Sequence, residues 1–224
     1  IEWSKKRLNL RLSGSVGVDM HYTNETAFHK SYSKRILKKT EKKKALICTH
    51  EFYDDPNYTG GLLFADFWEW LIFIGEKSKN SNCEWYLKNH PDADKWTKEV
   101  INEFLQKFKH ISLIDERSSF LQLKEEGLSY VFTAHGTVGH ECPLLGIQVI
   151  NADLNHPHMA YNFNWSPKNL NELSEIILNL DKLHLKINLD EVYEYYYTVK
   201  KMNIEDDLIF NSYNDAKEIE RDKN

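Results

Sequence analysis

The 224-residue sequence predicts an α/β fold, a parallel sheet with helices on both faces. Three observations carry this expectation. Short, β-rich apolar runs alternate with longer stretches of helical periodicity, the pattern of right-handed βαβ units. The runs read as buried strands, as a sheet covered on both sides requires. The residues with useful chemistry fall at the carboxyl ends of those runs, where open α/β sheets bind ligands.

The elements follow in order. Residues 45–49 read as a first buried strand, and residues 50–61, rich in Asp, Pro, Asn and Gly, as a loop. Residues 62–77 place Phe64, Phe67, Trp68, Leu71 and Ile72 at helical spacing. A second strand covers 83–88, and Asp92 or Asp94 can cap the next helix over 96–108. Ile111, Leu113 and Ile114 mark a third strand. Residues 118–126 form a short helix that Gly127 ends. Residues 128–133 are the fourth strand, followed by a turn at Gly136 and Gly139, a short helix that Gly146 ends, and a fifth strand over 147–150. Residues 166–183 read as a helix capped by Ser166 with Pro167 at its first position. Residues 189–201 are expected to be helical, and the tail from Asn211 is polar. The whole is a Rossmann-like sheet over 45–185, with a basic connector over 1–44 and C-terminal helices and a tail over 186–224.

Composition bounds the function. Hydrophobic content of 41% and charged content of 28% suit an ordinary globular chain. No apolar run reaches the roughly 20 residues that span a bilayer. Cys48, Cys83 and Cys142 stand singly, as buried free thiols of a reducing compartment do. The chain begins at Ile1, which points to a piece of a longer protein. Residues 1–44 carry twelve Lys or Arg against four Asp or Glu, although the whole chain has a net charge of −5. A solvated helical face is the plain reading of that run. Attraction to an anionic membrane leaflet or a polyanionic acceptor is the sharper one. A nucleic-acid partner is not expected, given the negative total and the lack of a binding motif. The expected location is the cytoplasm, with the inner membrane face as the site of any attachment.

The turn from His135 to Glu141 carries the most chemistry. Gly136, Thr137, Val138 and Gly139 can turn amides, and Thr137 a hydroxyl, toward a phosphate at a helix start. A tight strand-to-helix turn needs the same glycines without any ligand. His50, first after its strand, has the residue type of a general base on an acceptor hydroxyl, with Asp54 or Asp55 to orient it. His90 ends the second strand and Pro91 stiffens its turn. Protonated His90 can meet a phosphate, with Lys88 adding charge. Asp153, Asn155 or His158 can reach a transferred sugar. His135, His140, Cys142, His156 and His158 concentrate soft ligands, but the spacing is wrong for a zinc motif, and no metal is expected.

The stretch from His135 to Val149 resembles the donor-site motif S-G-G-x-x-E-E-x-P-x-x-G-x-P-V of UDP-N-acetylglucosamine 2-epimerases. Gly136, Glu141, Pro143, Gly146 and Val149 match it, while His135, Thr137, His140 and Gln148 depart from it. His50 to Pro56, Phe64 to Trp70, Lys88 to Pro91 and His135 to Thr137 together resemble bacterial capsular-polysaccharide glycosyltransferases. The His90-Pro91 pair is also similar to polysialyl- and Kdo-type transferases. The resemblance implies the donor-binding C-terminal half of a GT-B fold. It implies a CMP-, CDP- or UDP-linked sugar donor, with no further cofactor. It also implies a polysaccharide or lipid-linked acceptor and a capsule-assembly complex. It places ribose hydroxyls on Glu141 and assigns phosphate or leaving-group contacts to His90 and His135. A CDP-polyol phosphotransferase, an epimerase-like enzyme and a non-catalytic scaffold are the alternatives.

Overall fold

A computed structural model describes residues 1–19, 25–30, 34–53 and 59–202. Asp54 and Asp55, and the tail from Asn211, lie outside the described residues. Five strands form one parallel sheet: β1 (Lys44–Cys48), β2 (Glu84–Lys88), β3 (Ile111–Ile114), β4 (Leu128–Thr133) and β5 (Gln148–Asn151). Their spatial order is β3-β2-β1-β4-β5. The chain therefore winds outward from β1 in one direction and from β4 in the other, the Rossmann-like arrangement.

Alternating side chains divide the strands between two cores. Ala45, Ile47, Trp85, Leu87, Tyr130 and Phe132 face one side, where α2 (Phe67–Ser78), α3 (Lys95–Lys107) and α6 (Leu170–Leu178) bury Trp70, Phe104 and Ile177. Leu46, Tyr86, Val131 and Val149 face the other, under α4 (Phe120–Glu125) and α5 (Val138–Leu144). Burying each large apolar side chain contributes about 1.5–3 kcal/mol, enough to hold a sheet with both faces covered.

The helix starts furthest from the sequence reading, those of α2 and α6, differ for tertiary reasons. The helix expected from residue 62 begins at Phe67. Leu62 and Leu63 first run beside the end of β5, where Leu63 N–H donates to the Ala152 carbonyl (3.0 Å). Asp66 then caps α2 through the Glu69 amide (2.8 Å). The helix expected from Ser166 begins at Leu170, capped by Asn169. Trp165 extends the sheet edge by bonding to Val149 and Asn151, and the Ser166 hydroxyl is taken by His156 (2.8 Å).

The N-terminal region contains a helix that its sequence did not mark. Glu2–Leu12 forms α1, which packs against α7 (Leu189–Tyr197) and buries Leu8 beside Phe163 and Tyr196. A π-helical turn, Thr198–Met202, continues α7. Residues 34–43, the densest part of the basic region, hold no helix. Their backbone is tied to α4, because Glu126 accepts the Ile36 and Leu37 amides (2.9 and 2.6 Å). Cys48, Cys83 and Cys142 are free thiols. No helix among the described residues is long and apolar enough to cross a membrane.

Candidate functional site

Because the strands are parallel, the loops after β1, β4 and β5 emerge on one edge. The β1 and β4 connections leave toward opposite faces, which opens a crevice between them. His50, Thr133, His135 and Asp153 meet in this crevice. His50 Nε2 lies 3.2 Å from Thr133 Oγ1, which also accepts the Gly136 amide (3.1 Å). The His50 ring stacks on Phe67, with centroids 4.9 Å apart, and lies 4.5 Å from the His135 ring. His135 Nδ1 lies 3.3 Å from Asp153 Oδ2, near enough for an ion pair when the imidazole carries a proton. The Thr59 hydroxyl and the Asn155 amide also donate to Asp153. Burial alone would raise the Asp153 pKa, but the His135, Thr59 and Asn155 contacts outweigh it and hold the carboxylate ionised. Gly61 permits this packing, since a Cβ there would come within 2.5 Å of Asp153 Oδ1.

His50 does not meet the expectation of a near-neutral base. Burial first, then the neighbouring His135 and His90, push its pKa down to about 3. Its ring contacts the Thr133 hydroxyl and lies against His135. His90 lies at the rim, its side chain 41% exposed. Its Nδ1 accepts the Asp92 amide (3.3 Å) and stands 3.8 Å from Glu51 Oε1. Glu51 braces the start of α3 by accepting from Thr97 Oγ1 (3.3 Å). Pro91 is exposed in the turn that follows. Lys88 does not accompany His90. It is buried on the other face, its Nζ 5.5 Å from the Phe120 ring centre, and burial lowers its pKa.

The glycine turn is tightly packed. The Gly136 amide is held by Thr133, and the Gly139 amide bonds back to the Gly136 carbonyl (2.9 Å). Thr137 is exposed at the start of α5, and its hydroxyl does not cap the helix. The Thr137 and Val138 amides are the ones left at the open end of the turn. Gly139 answers to packing: a Cβ there would sit 2.4 Å from the His158 ring. Pro143 removes one helical donor from α5, and Asn164 Nδ2 satisfies the Gly139 carbonyl instead (2.7 Å). Glu141 is buried, and Arg11 of α1 takes its carboxylate in an ion pair. Burial raises the Glu141 pKa against the pull of Arg11.

His140, His156 and His158 form a separate buried group under α7. His140 Nδ1 lies 3.3 Å from His158 Nε2, and the His158 amide donates to His156 Nδ1 (3.2 Å). That acceptor role leaves the His156 proton on Nε2, directed at Ser166. Desolvation holds all three neutral: His156 at about 4, His158 at about 3, and His140 well below its usual value. Among the described residues no group of three or more His, Cys, Asp or Glu could hold a metal ion.

Three contributors escaped the sequence reading. Thr133 looked like the last residue of an apolar strand, and Glu51 like one acid in a polar loop. Arg11 lay in a presumed connector. Only Glu51 carried a usable signal, a carboxylate just after a strand.

No protein-family model and no curated protein matches the chain. Among solved structures, the chain is similar to UDP-GlcNAc 2-epimerase from Neisseria meningitidis bound to UDP-GlcNAc. Identity is 12% and the TM-score 0.44, over 71% of this chain and 44% of that one. It is also similar to KpsC, the beta Kdo 2,4 transferase of Thermosulfurimonas dismutans. Identity is 16% and the TM-score 0.47, over 87% of this chain and 54% of that one. Both are types of enzyme that the sequence motifs resemble. At this level the likenesses assign no activity to the chain, which spans about half the length of these two structures.

Proposed function

We propose that this chain is the donor-binding half of a GT-B glycosyltransferase that moves a sugar from a nucleotide-activated donor to a growing bacterial surface polysaccharide. The observation that carries the reading is the group His50, Thr133, His135 and Asp153, gathered at the switch point of a β3-β2-β1-β4-β5 sheet. The reaction is displacement at the anomeric carbon, with the nucleotide phosphate leaving. The exposed start of the 136–139 turn and His90 at the rim are suited to the phosphate charge. His135, backed by the ionised Asp153, has the arrangement of an oriented base or a leaving-group partner. His50 positions this pair. The ribose role proposed for Glu141 requires Arg11 to release it.

The test is a thermal-shift screen with CMP, CDP and UDP. A nucleotide at a hundred times its dissociation constant adds about 2.7 kcal/mol of stability. The increment should shrink in Gly136→Val and His90→Ala. If none of the three nucleotides raises the midpoint, the glycosyltransferase reading falls.

A further inference from the structure

Beside the crevice, between the starts of α2 and α3, lies a groove of about 430 Å³. Its walls are Phe52, Phe67, Trp68 and Trp96, and the carboxylates Asp66 and Glu103 stand among them. Trp96 is 45% exposed and Tyr53 is 72% exposed, large costs for aromatic rings on a surface. The two rings lie 5.1 Å apart, and Phe52 meets Trp96 edge-on at 6.1 Å. One Asp66 oxygen caps α2. Glu103 is exposed and, among the described residues, pairs with nothing. Phe67 joins the groove to the crevice, because the ring that forms the groove wall stacks on His50.

We propose that this groove is a carbohydrate subsite that takes an uncharged pyranose unit of the acceptor glycan; as an acceptor subsite it rests on the glycosyltransferase reading above. The electron-rich face of an aromatic ring suits the C–H face of a sugar, and carboxylate oxygens are strong acceptors for its hydroxyls. A volume of this size lies in the range of small-ligand pockets. The two carboxylates also select, since a sugar acid placed between them meets like charge. The single ring between groove and His50 sets the bound sugar next to the reacting groups rather than on a remote surface.

The test uses the full chain with neutral methyl hexopyranosides and disaccharides, and with methyl uronides as acidic counterparts. Saturation-transfer NMR and tryptophan fluorescence read the binding. Neutral saccharides should bind, weaken about tenfold in Trp96→Ala, and keep most of their affinity in Trp96→Phe. Glu103→Gln should narrow the gap between neutral and acidic probes. The proposal is overturned if no neutral saccharide binds, if Trp96→Ala binds as wild type does, or if uronides bind equally well. Nucleotide-induced stabilisation is measured on the same variants and should be unchanged in Trp96→Ala. Nucleotide binding without saccharide binding removes this subsite alone. Saccharide binding without nucleotide binding keeps a carbohydrate groove and removes its acceptor role with the donor reading.

Discussion

A methyl group at position 139 has no room, because the His158 ring occupies the place a Cβ would take. Gly139→Ala should therefore cost about 1–3 kcal/mol, read as a lower urea midpoint at unchanged slope. The sequence marked this glycine for ligand approach, and a neighbour 19 residues on explains it by packing. Arg11 and Glu141 give a second case. Both are nearly buried, so Arg11→Ala leaves a carboxylate without its counter-charge and should cost about 3 kcal/mol. Replacing both, by Arg11→Met with Glu141→Leu, should recover most of that loss in the same denaturation experiment. Residue types were legible at these positions, but their partners were not. Nothing near Glu141 in sequence announces an arginine 130 residues away.

Elements tell a different story, because local patterns govern most of them. Strands β3 and β4 match the residues their apolar runs mark, and α3 starts one residue from its expected place behind an Asp94 cap. Losing such a cap is measurable: Asp66→Ala should destabilise the protein by about 1 kcal/mol in equilibrium unfolding. The histidines that join α5, the 156–158 loop and α7 make a second element-scale prediction. Their folded pKa values lie below the ordinary 6.5, so the unfolded chain takes up protons that the folded chain refuses. Their contribution is fully present above pH 6.5 and is lost as pH falls through that value toward 4 and 3. The urea midpoint should drop from pH 7 to pH 5, and His158→Gln should flatten that slope. A midpoint that is constant over this range would remove the buried-imidazole account. The start of α6 was illegible locally, since Ser166 has a capping residue type but is held by His156.

On the scale of the whole molecule, α1 and α7 close over one flank of the sheet. Leu8 packs with Val192, Tyr195 and Tyr196, Arg7 pairs with Asp19, and Tyr196 bonds to the same Asp19 (2.8 Å). This group is distinct from the two cores that sandwich the sheet. Deleting residues 1–19 should therefore speed hydrogen exchange in α7 while protection in β1, β2 and β4 persists. Equal loss in both would show that the flank and sheet unfold as one unit. The sequence by itself determined the layered architecture, the order of strands and helices, and the edge on which His50, His90 and His135 emerge. Periodicity and chain direction are local properties, and parallel strands send their ends to one side. Only the tertiary structure decided that His50 is buried and neutral, that Lys88 and His90 part, and that Arg11 covers Glu141. Burial and partnership depend on what distant segments bring alongside, and no spacing along the chain records that.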